Sequence, residues 1–403
     1  MRRRDVLAFA AAAPFATASR VWAAPPGASN GPRILVVFLR GAYDAANVVI
    51  PVSSDFYYQA RPTLQVARPD PANPDAALPL DADFGLHPAL KDTIYPLWLK
   101  KQVAFIPFAG ADDLSRSHFE TQDAIEMGQP LTGERNFGSG FLSRLNGVLG
   151  GEARPIAFTD APPLILRGGA QAPNIGLGSV GKPGVDDRQA RLIQGMYAGQ
   201  TGGQAMAQAV SEGFQIRDQA YQAISMEMQE ANRGAVSAKG FELSTRRIAR
   251  LMKTDYSLGF VDVGGWDTHV NQGAAKGYLA DRLSELGRGL AGFADEIGPE
   301  AWNDTLVVVV SEFGRTFREN GGRGTDHGHG SVYWVLGGQV KGGRLAGQQV
   351  RVAADTLNQN RDYPVLTEYR GLFGGLFQRA YGLDQRRLDT VFPQAQPQDL
   401  QIV

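Results

Sequence analysis

The chain alternates short runs that are apolar at every position with longer stretches in which apolar residues recur every three or four. Ile34 to Leu39 and Val103 to Pro107 are continuous apolar runs, the pattern of strands buried on both faces. Leu258 to Val263 and Leu306 to Val310 read as further strands, the second the strongest in the sequence. Helical spacing predicts a helix near Pro88 to Lys100 and another from His118 to Met127 behind Ser117. Leu279, Leu283, Leu286, Leu290, Phe293 and Ile297 mark one face of a long helix ended by Gly298-Pro299. An apolar stripe from Gln204 to about Asn232 (Met206, Val210, Phe214, Tyr221, Ile224, Met228) reads as core packing. A closing helix is expected near Thr367 to Tyr381, with Thr367 as its cap. Residues 167–204 are rich in glycine and turns and read as a surface excursion with a short helical stretch near Asp187 to Tyr197.

Strand, helix and strand in succession make a βαβ unit whose strands run parallel, so their carboxyl ends share one edge of the sheet. The expected class is α/β with a mainly parallel central sheet. Polar motifs follow the strand ends: Gly41-Ala42-Tyr43-Asp44, then Asp112 to His118, Gly264 to His269, and Ser311 to Arg315. Ligands in open α/β sheets bind outside the carboxyl ends of strands, so these motifs are expected around one crevice.

Four of the five histidines sit in three compact motifs, Ser115 to His118, Gly265 to His269 and Thr325 to His329. Imidazole is the commonest nitrogen ligand of zinc and its relatives, and Asp267 and Asp326 stand beside these histidines. In an extended loop, side chains two apart face the same way, so Asp267 with His269, and His327 with His329, each form a two-ligand clip. Asp44 and Glu312, at strand tips, are candidate carboxylate ligands; for Glu312 the alternative is an ion pair with Arg315 or Arg318. Ser117 opens a helix whose free amides favour an anion, or else serves as a plain N-cap. His87 reads as a packing or hydrogen-bonding residue. With no cysteine in the chain, any metal site must use histidine and carboxylate, which leaves zinc, manganese, magnesium or calcium.

The amino terminus reads as an address. Arg3, Arg4, Val6 and Leu7 resemble a twin-arginine export signal, followed by the apolar run Ala8 to Ala16 and a cleavage site after Ala23. Residues 1–23 are then the signal and 24–403 one α/β domain delivered to the periplasm, with the twin-arginine translocase as transient partner. The apolar run is too short for a stable membrane anchor. Removing the signal takes away four arginines and one aspartate and moves the net charge from −1 to −4, which gives no support to nucleic-acid binding.

Six ordered motifs resemble the DUF1501 family of exported bacterial proteins: Leu39 to Asp44, Phe84 to Pro88, Ser115 to Phe119, Gly265 to His269, Ser311 to Thr316 and Gly324 to Gly330. The resemblance implies similarity to the alkaline phosphatase and sulfatase superfamily and a three-layer αβα sandwich. By order along the chain, Asp44 resembles the first metal aspartate, Ser117 (or Ser115) the nucleophile, Asp267 and His269 a metal pair, and His327 or His329 the late histidine. The chain departs from the superfamily after Leu306 to Val310, where Ser311-Glu312-Phe313 stands in place of Asp-His; one ligand of a two-metal centre is then missing, and the alternatives are a single metal or a centre rebuilt with Asp326 and His327, one or two ions in all. The implied activity is metal-dependent hydrolysis or transfer of phosphate or sulfate esters of a small molecule or glycan. Ser117, His118 and Arg315 are its catalytic candidates, and Asp44, Asp267, His269, Glu312, Asp326, His327 and His329 its metal candidates. The alternative is a non-catalytic periplasmic binding or assembly protein on the same fold. A Ser-His-Asp hydrolase lacks its Gly-x-Ser-x-Gly elbow around Ser117.

Overall fold

The computed structural model describes residues 31–131, 135–169, 172–176, 236–237 and 240–403. The expected signal, the Gln204 to Asn232 stripe and most of the glycine-rich excursion lie outside the described residues.

Twelve strands are described: β1 (Arg33–Leu39), β2 (Val49–Ile50), β3 (Leu78–Pro79), β4 (Gly85–Leu86), β5 (Val103–Gly110), β6 (Pro155–Phe158), β7 (Val236–Ser237), β8 (Leu258–Gly264), β9 (Thr305–Ser311), β10 (Ser331–Leu336), β11 (Arg344–Leu345) and β12 (Thr367–Glu368). The main sheet runs in the order β11-β5-β10-β9-β1-β8-β6, with β12 on β5 and β7 on β8. Strand β10 is antiparallel to β9 and β5, and the other pairs in this sheet are parallel. Short strands β2, β4 and β3 form a separate antiparallel sheet.

Strand β1 is buried at every position because both faces of the sheet are covered. Leu35, Val37 and Leu39 join one apolar cluster with the helices Ile94–Leu99, Phe241–Thr254 and Tyr278–Ile297. Ile34, Val36 and Phe38 join the other with the helices His118–Met127, Phe141–Val148, Tyr369–Tyr381 and Gln385–Val391. The result is a three-layer αβα arrangement. The predicted face of the long helix is buried from Leu279 to Ile297. No helix among the described residues is long and apolar enough to cross a membrane.

Three local expectations change. The Pro88 to Lys100 stretch breaks into a 3-10 turn, Pro88–Leu90, and the helix Ile94–Leu99; Pro96 lacks an amide hydrogen and is tolerated only in a first turn, so the helix restarts just before it. Thr367 belongs to β12, and Glu368 caps the closing helix by accepting from the amides of Arg370 and Gly371. The parallel strands β8 and β9, joined by the long helix, are not neighbours, because β1 lies between them.

Since β10 runs against the others, its amino end meets their carboxyl ends. The segment leading into it, His327 to Gly330, therefore arrives at the edge where β1, β5, β8 and β9 deliver their polar motifs. The loop after β9 pairs with this segment: Arg315 bridges to His327, and Gly314 bonds both His329 O and Gly328 N at 2.8 Å. A Cβ on Gly314 would lie 1.9 Å from Gly330 O, so only glycine permits this approach.

Candidate functional site

Three imidazoles and one carboxylate converge at that edge. His118 Nε2 lies 2.9 Å from His327 Nε2, which lies 3.1 Å from His269 Nε2. Asp267 Oδ1 is 2.9 Å from His269 Nε2 and 3.5 Å from His327 Nε2, and Asp267 Oδ2 is 3.7 Å from His118 Nε2. His118 opens the helix His118–Met127, Asp267 and His269 follow β8, and His327 precedes β10.

The other ring nitrogens decide what this cluster is suited to hold. His118 Nδ1 faces Glu312 Oε1 at 2.7 Å, His327 Nδ1 faces the Arg116 carbonyl at 3.1 Å, and His269 Nδ1 faces Asp326 Oδ1 at 3.1 Å. Carboxylate and carbonyl oxygens only accept, so each Nδ1 carries a proton. In the neutral rings each Nε2 then presents a lone pair, and the lone pairs point at one another and at a carboxylate. Only positive charge reconciles them. Asp267 Oδ2 is buried with no hydrogen-bond partner. Tetrahedral ligands about 2.0–2.1 Å from a zinc ion are roughly 3.3 Å apart, and His118, His327 and Asp267, whose ligand atoms all lie within 4.8 Å of one another, fit a single divalent cation in donor type and spacing, with His269 beside His327 and Asp267. The Nδ1 contacts match the outer partners that fix tautomer and ring direction in metal-binding histidines.

The electrostatics agree with the geometry. Burial pushes the Asp267 carboxyl up, but the three imidazoles and the Arg315 guanidinium outweigh it and hold it well below the usual range. Burial likewise opposes ionisation of Glu312, and His118 with Gln122 overcomes it, to about 2. His118 is lowered by burial yet raised further by Asp267 and Glu312, to about 9. His269 is raised mainly by Asp267. Phe313 packs against the rings of both His118 and His327, with centroids 5.0 and 5.3 Å away.

Several sequence candidates stand behind this cluster. Asp44 is fully buried and accepts from both Arg61 Nη atoms, at 2.6 and 3.0 Å, and from Gln272 Nε2 at 2.6 Å; its oxygens are engaged by these donors, and the structure does not bring it into the imidazole cluster. Glu312 Oε1 accepts from Gly41 N, Gln122 Nε2 and His118, and Ser311 Oγ donates to Oε2. It orients His118 rather than reaching the cluster, and neither Arg315 nor Arg318 pairs with it. Asp326, half exposed, supports His269 and accepts from Asn320 Nδ2 at 2.9 Å. Arg315 is buried and donates to Asp267 Oδ1, Thr325 O, Thr325 Oγ1 and Gly41 O. It neutralises Asp267 and has no free face for substrate. His329 does not join: its Nε2 is 3.9 Å from Asp112 Oδ1, because the chain bends at His329 and the two imidazoles of the expected clip diverge. Ser117 occupies the N-cap position of its helix, yet its hydroxyl makes no capping bond. His87 accepts from Ala89 N and contacts Ala274 O, as a structural residue does.

The supporting residues Arg61, Gln272, Gln122 and Arg40 escaped the sequence reading. Arg40 is buried, donating to Asp262, Gln122 and Glu126. One signal was available: His118, Gln122 and Glu126 recur every four residues on one helix, and all three are buried.

The DUF1501 family, described as a protein of unknown function, matches residues 32–392, and the chain belongs to it. No curated protein matches the sequence. Among solved structures, a protein in the alkaline phosphatase superfamily from Vibrio parahaemolyticus is 12% identical with a TM-score of 0.37, over 81% of this chain and 64% of that one. This chain thus aligns with less than two thirds of the Vibrio protein. Ps i-CgsB, in complex with k-i-k-neocarrahexaose, is 11% identical with a TM-score of 0.43, over 90% of this chain and 74% of that one.

Two outcomes are expected. Arg61→Met leaves Asp44 buried without its cation and should lower stability to denaturant by about 3–5 kcal/mol, while Arg61→Met with Asp44→Leu recovers much of that loss. In chelated protein, Glu312 contributes stability that is full above about pH 4.5 and lost as pH falls toward 2, because its folded pKa is depressed. His118 contributes stability that is full below about pH 6.5 and lost as pH rises through 9, because its folded pKa is raised. Stability measured against pH without metal should therefore peak between about 4.5 and 6.5, and a saturating divalent cation should abolish the alkaline decline. A flat profile from pH 6 to 9 in chelated protein would contradict this.

Proposed function

We propose that this DUF1501 member is a hydrolase or transferase of phosphate or sulfate esters, dependent on one divalent metal and working in the periplasm after twin-arginine export. The observation that carries the reading is the convergence of three Nε2 atoms on Asp267, each ring fixed from behind by an oxygen acceptor. His118, His269, His327 and Asp267 would hold the ion; zinc suits this nitrogen-rich set better than calcium, which prefers oxygen. A bound divalent ion supplies Lewis-acid stabilisation of negative charge on the substrate.

The chain's own residues do the rest. Glu312 and Asp326 keep Nδ1 of His118 and His269 protonated, so both rings present Nε2 forward. Arg315 keeps Asp267 ionised and fixes its carboxylate plane. Ser117 stands immediately before His118, and its hydroxyl, free of a capping duty, is the candidate nucleophile. The glycan or small-molecule portion of the ester would lie outward from this edge of the sheet.

A non-catalytic periplasmic protein with a structural ion is the second reading. It is favoured by the engagement of Arg315 with Asp267 and of Asp44 with Arg61, which removes two groups that an ester-cleaving centre would use.

Metal analysis of gently purified protein separates both readings from a metal-free fold. The proposal expects about one divalent ion per chain, lost in Asp267→Ala. Ser117→Ala should then abolish turnover of an aryl phosphate or sulfate with metal content and Tm nearly unchanged, since the lost interaction acts on the transition state. Activity that survives Ser117→Ala rejects the nucleophile, and metal-replete protein inert toward both esters leaves the structural reading. Export is tested separately: Arg3→Lys with Arg4→Lys should trap a soluble, uncleaved precursor in the cytoplasm, and undiminished periplasmic delivery would reject the signal.

A further inference from the structure

The arginines packed around the centre are largely engaged with carboxylates. Arg315 pairs with Asp267, Arg116 and Arg361 with Asp362, Arg40 with Glu126 and Asp262, and Arg61 with Asp44. Arg282, at the start of the second turn of the helix Tyr278–Ile297, differs. The acid three residues on, Glu285, pairs with Arg288 at 2.8 Å, and Arg282 makes no ion pair among the described residues. Its Nε is buried with no hydrogen-bond partner. Its guanidinium lies against the ring of Tyr278, 5.4 Å from the centroid, and this contact orders the long side chain.

Both side chains stand over Gly265, two residues before Asp267. Gly265 has φ +90°, and a Cβ on it would meet Tyr278 Oη at 3.1 Å and Arg282 Cδ at 3.9 Å. Tyr278 is 42% exposed, so its face is open to a ligand, and its hydroxyl bonds to no described residue. Burial raises the Tyr278 hydroxyl, Arg282 opposes that shift and Asp267 adds to it, which sets all three within electrostatic reach. Among the described residues, an ordered guanidinium with no carboxylate next to a phenol with no hydrogen-bond partner is a donor array that lacks its acceptor. Guanidinium presents a planar fork of N–H donors that matches the oxygens of phosphate and sulfate.

We infer that Arg282 and Tyr278 form the anion-recognising wall of the centre and grip the non-bridging oxygens of the substrate's phosphate or sulfate group. This rests on the ester-cleaving reading of the Asp267 cluster and replaces Arg315, which Asp267 holds. Specificity for a tetrahedral oxyanion is then set from the long helix.

Isothermal titration of the zinc-supplemented full chain with inorganic phosphate, and separately with inorganic sulfate, tests it. Wild type should bind at least one of the two, and the tighter one identifies the ester class. Arg282→Gln should weaken that binding at least tenfold, Arg282→Lys should restore part of it, and Tyr278→Phe should weaken it by a smaller factor, all with Tm within a degree or two of wild type. In turnover, Arg282→Gln should raise KM more than it lowers kcat. Equal anion affinity in wild type and Arg282→Gln overturns the inference, as does wild type that binds neither anion. Anion binding through Arg282 without hydrolysis of either aryl ester keeps this wall and removes the hydrolase. Hydrolysis with unchanged KM in Arg282→Gln keeps the hydrolase and removes the wall.

Discussion

The carboxylate of Asp267 is buried at the edge of the sheet and ionised, and a buried anion survives only where cations and donors surround it. Arg315 supplies one fixed cation on Oδ1, while Oδ2 has no hydrogen-bond partner and faces the imidazoles. That need propagates outward as alternating charge. His118 is raised by Asp267 and in turn holds Glu312 ionised; Glu312 accepts from Gln122, whose oxygen accepts from Arg40; Arg40 is balanced by Asp262 and Glu126. Loss of any inner member strands a charge that its neighbours were arranged to neutralise, so the network behaves as one unit rather than a sum of contacts.

Topology brings these groups together. Parallel strands β1, β8 and β9 deliver Gly41, Asp267 and Glu312 to one edge, as a parallel sheet must. The fourth contribution comes from a reversal: β10 runs antiparallel between β9 and β5, so the segment before it, with His327, lands on the same edge. Glycine makes this crowding feasible. A Cβ on Gly41 would sit 2.7 Å from Asp267 N, and one on Gly314 would sit 1.9 Å from Gly330 O.

Strands β1, β5, β8 and β9, the long helix and the converging edge were legible because each rests on local periodicity: continuous apolar runs for strands buried on both faces, and spacings of three and four for Leu279 to Ile297. Strand β10 was not read at all, and its direction would not have been legible, because an apolar run carries no sign of its orientation. His118, Asp267, His269 and His327 were all named from their motifs, yet the division between inner and outer residues was hidden. Asp44 and Glu312 look alike in sequence, each an acid just past a buried strand. What separates them from Asp267 is Arg61, 17 residues beyond Asp44, and Gly41, Gln122 and Ser311 around Glu312. Such partners are set by three-dimensional packing, and one-dimensional spacing gives no access to them. The split of His327 from His329 has the same origin, since the alternation of an extended loop fails where the chain bends at His329.

This division between inner and outer acids also bounds the number of ions the centre suits. Asp44 and Glu312 would be the natural carboxylates for a second cation, but a guanidinium already sits on Asp44 with two hydrogen bonds, and Glu312 is occupied by an amide, a side-chain amide, a hydroxyl and His118. Arg61 is itself buried and held by Phe317 O and Thr316 O, so it cannot withdraw without leaving its own donors unsatisfied. A second divalent ion at Asp44 would therefore have to displace a fixed positive charge from a buried site. With Arg315 neutralising Asp267 on one side and Glu312 and Asp326 adding negative charge behind two of the rings, the inner cluster balances one doubly charged ion.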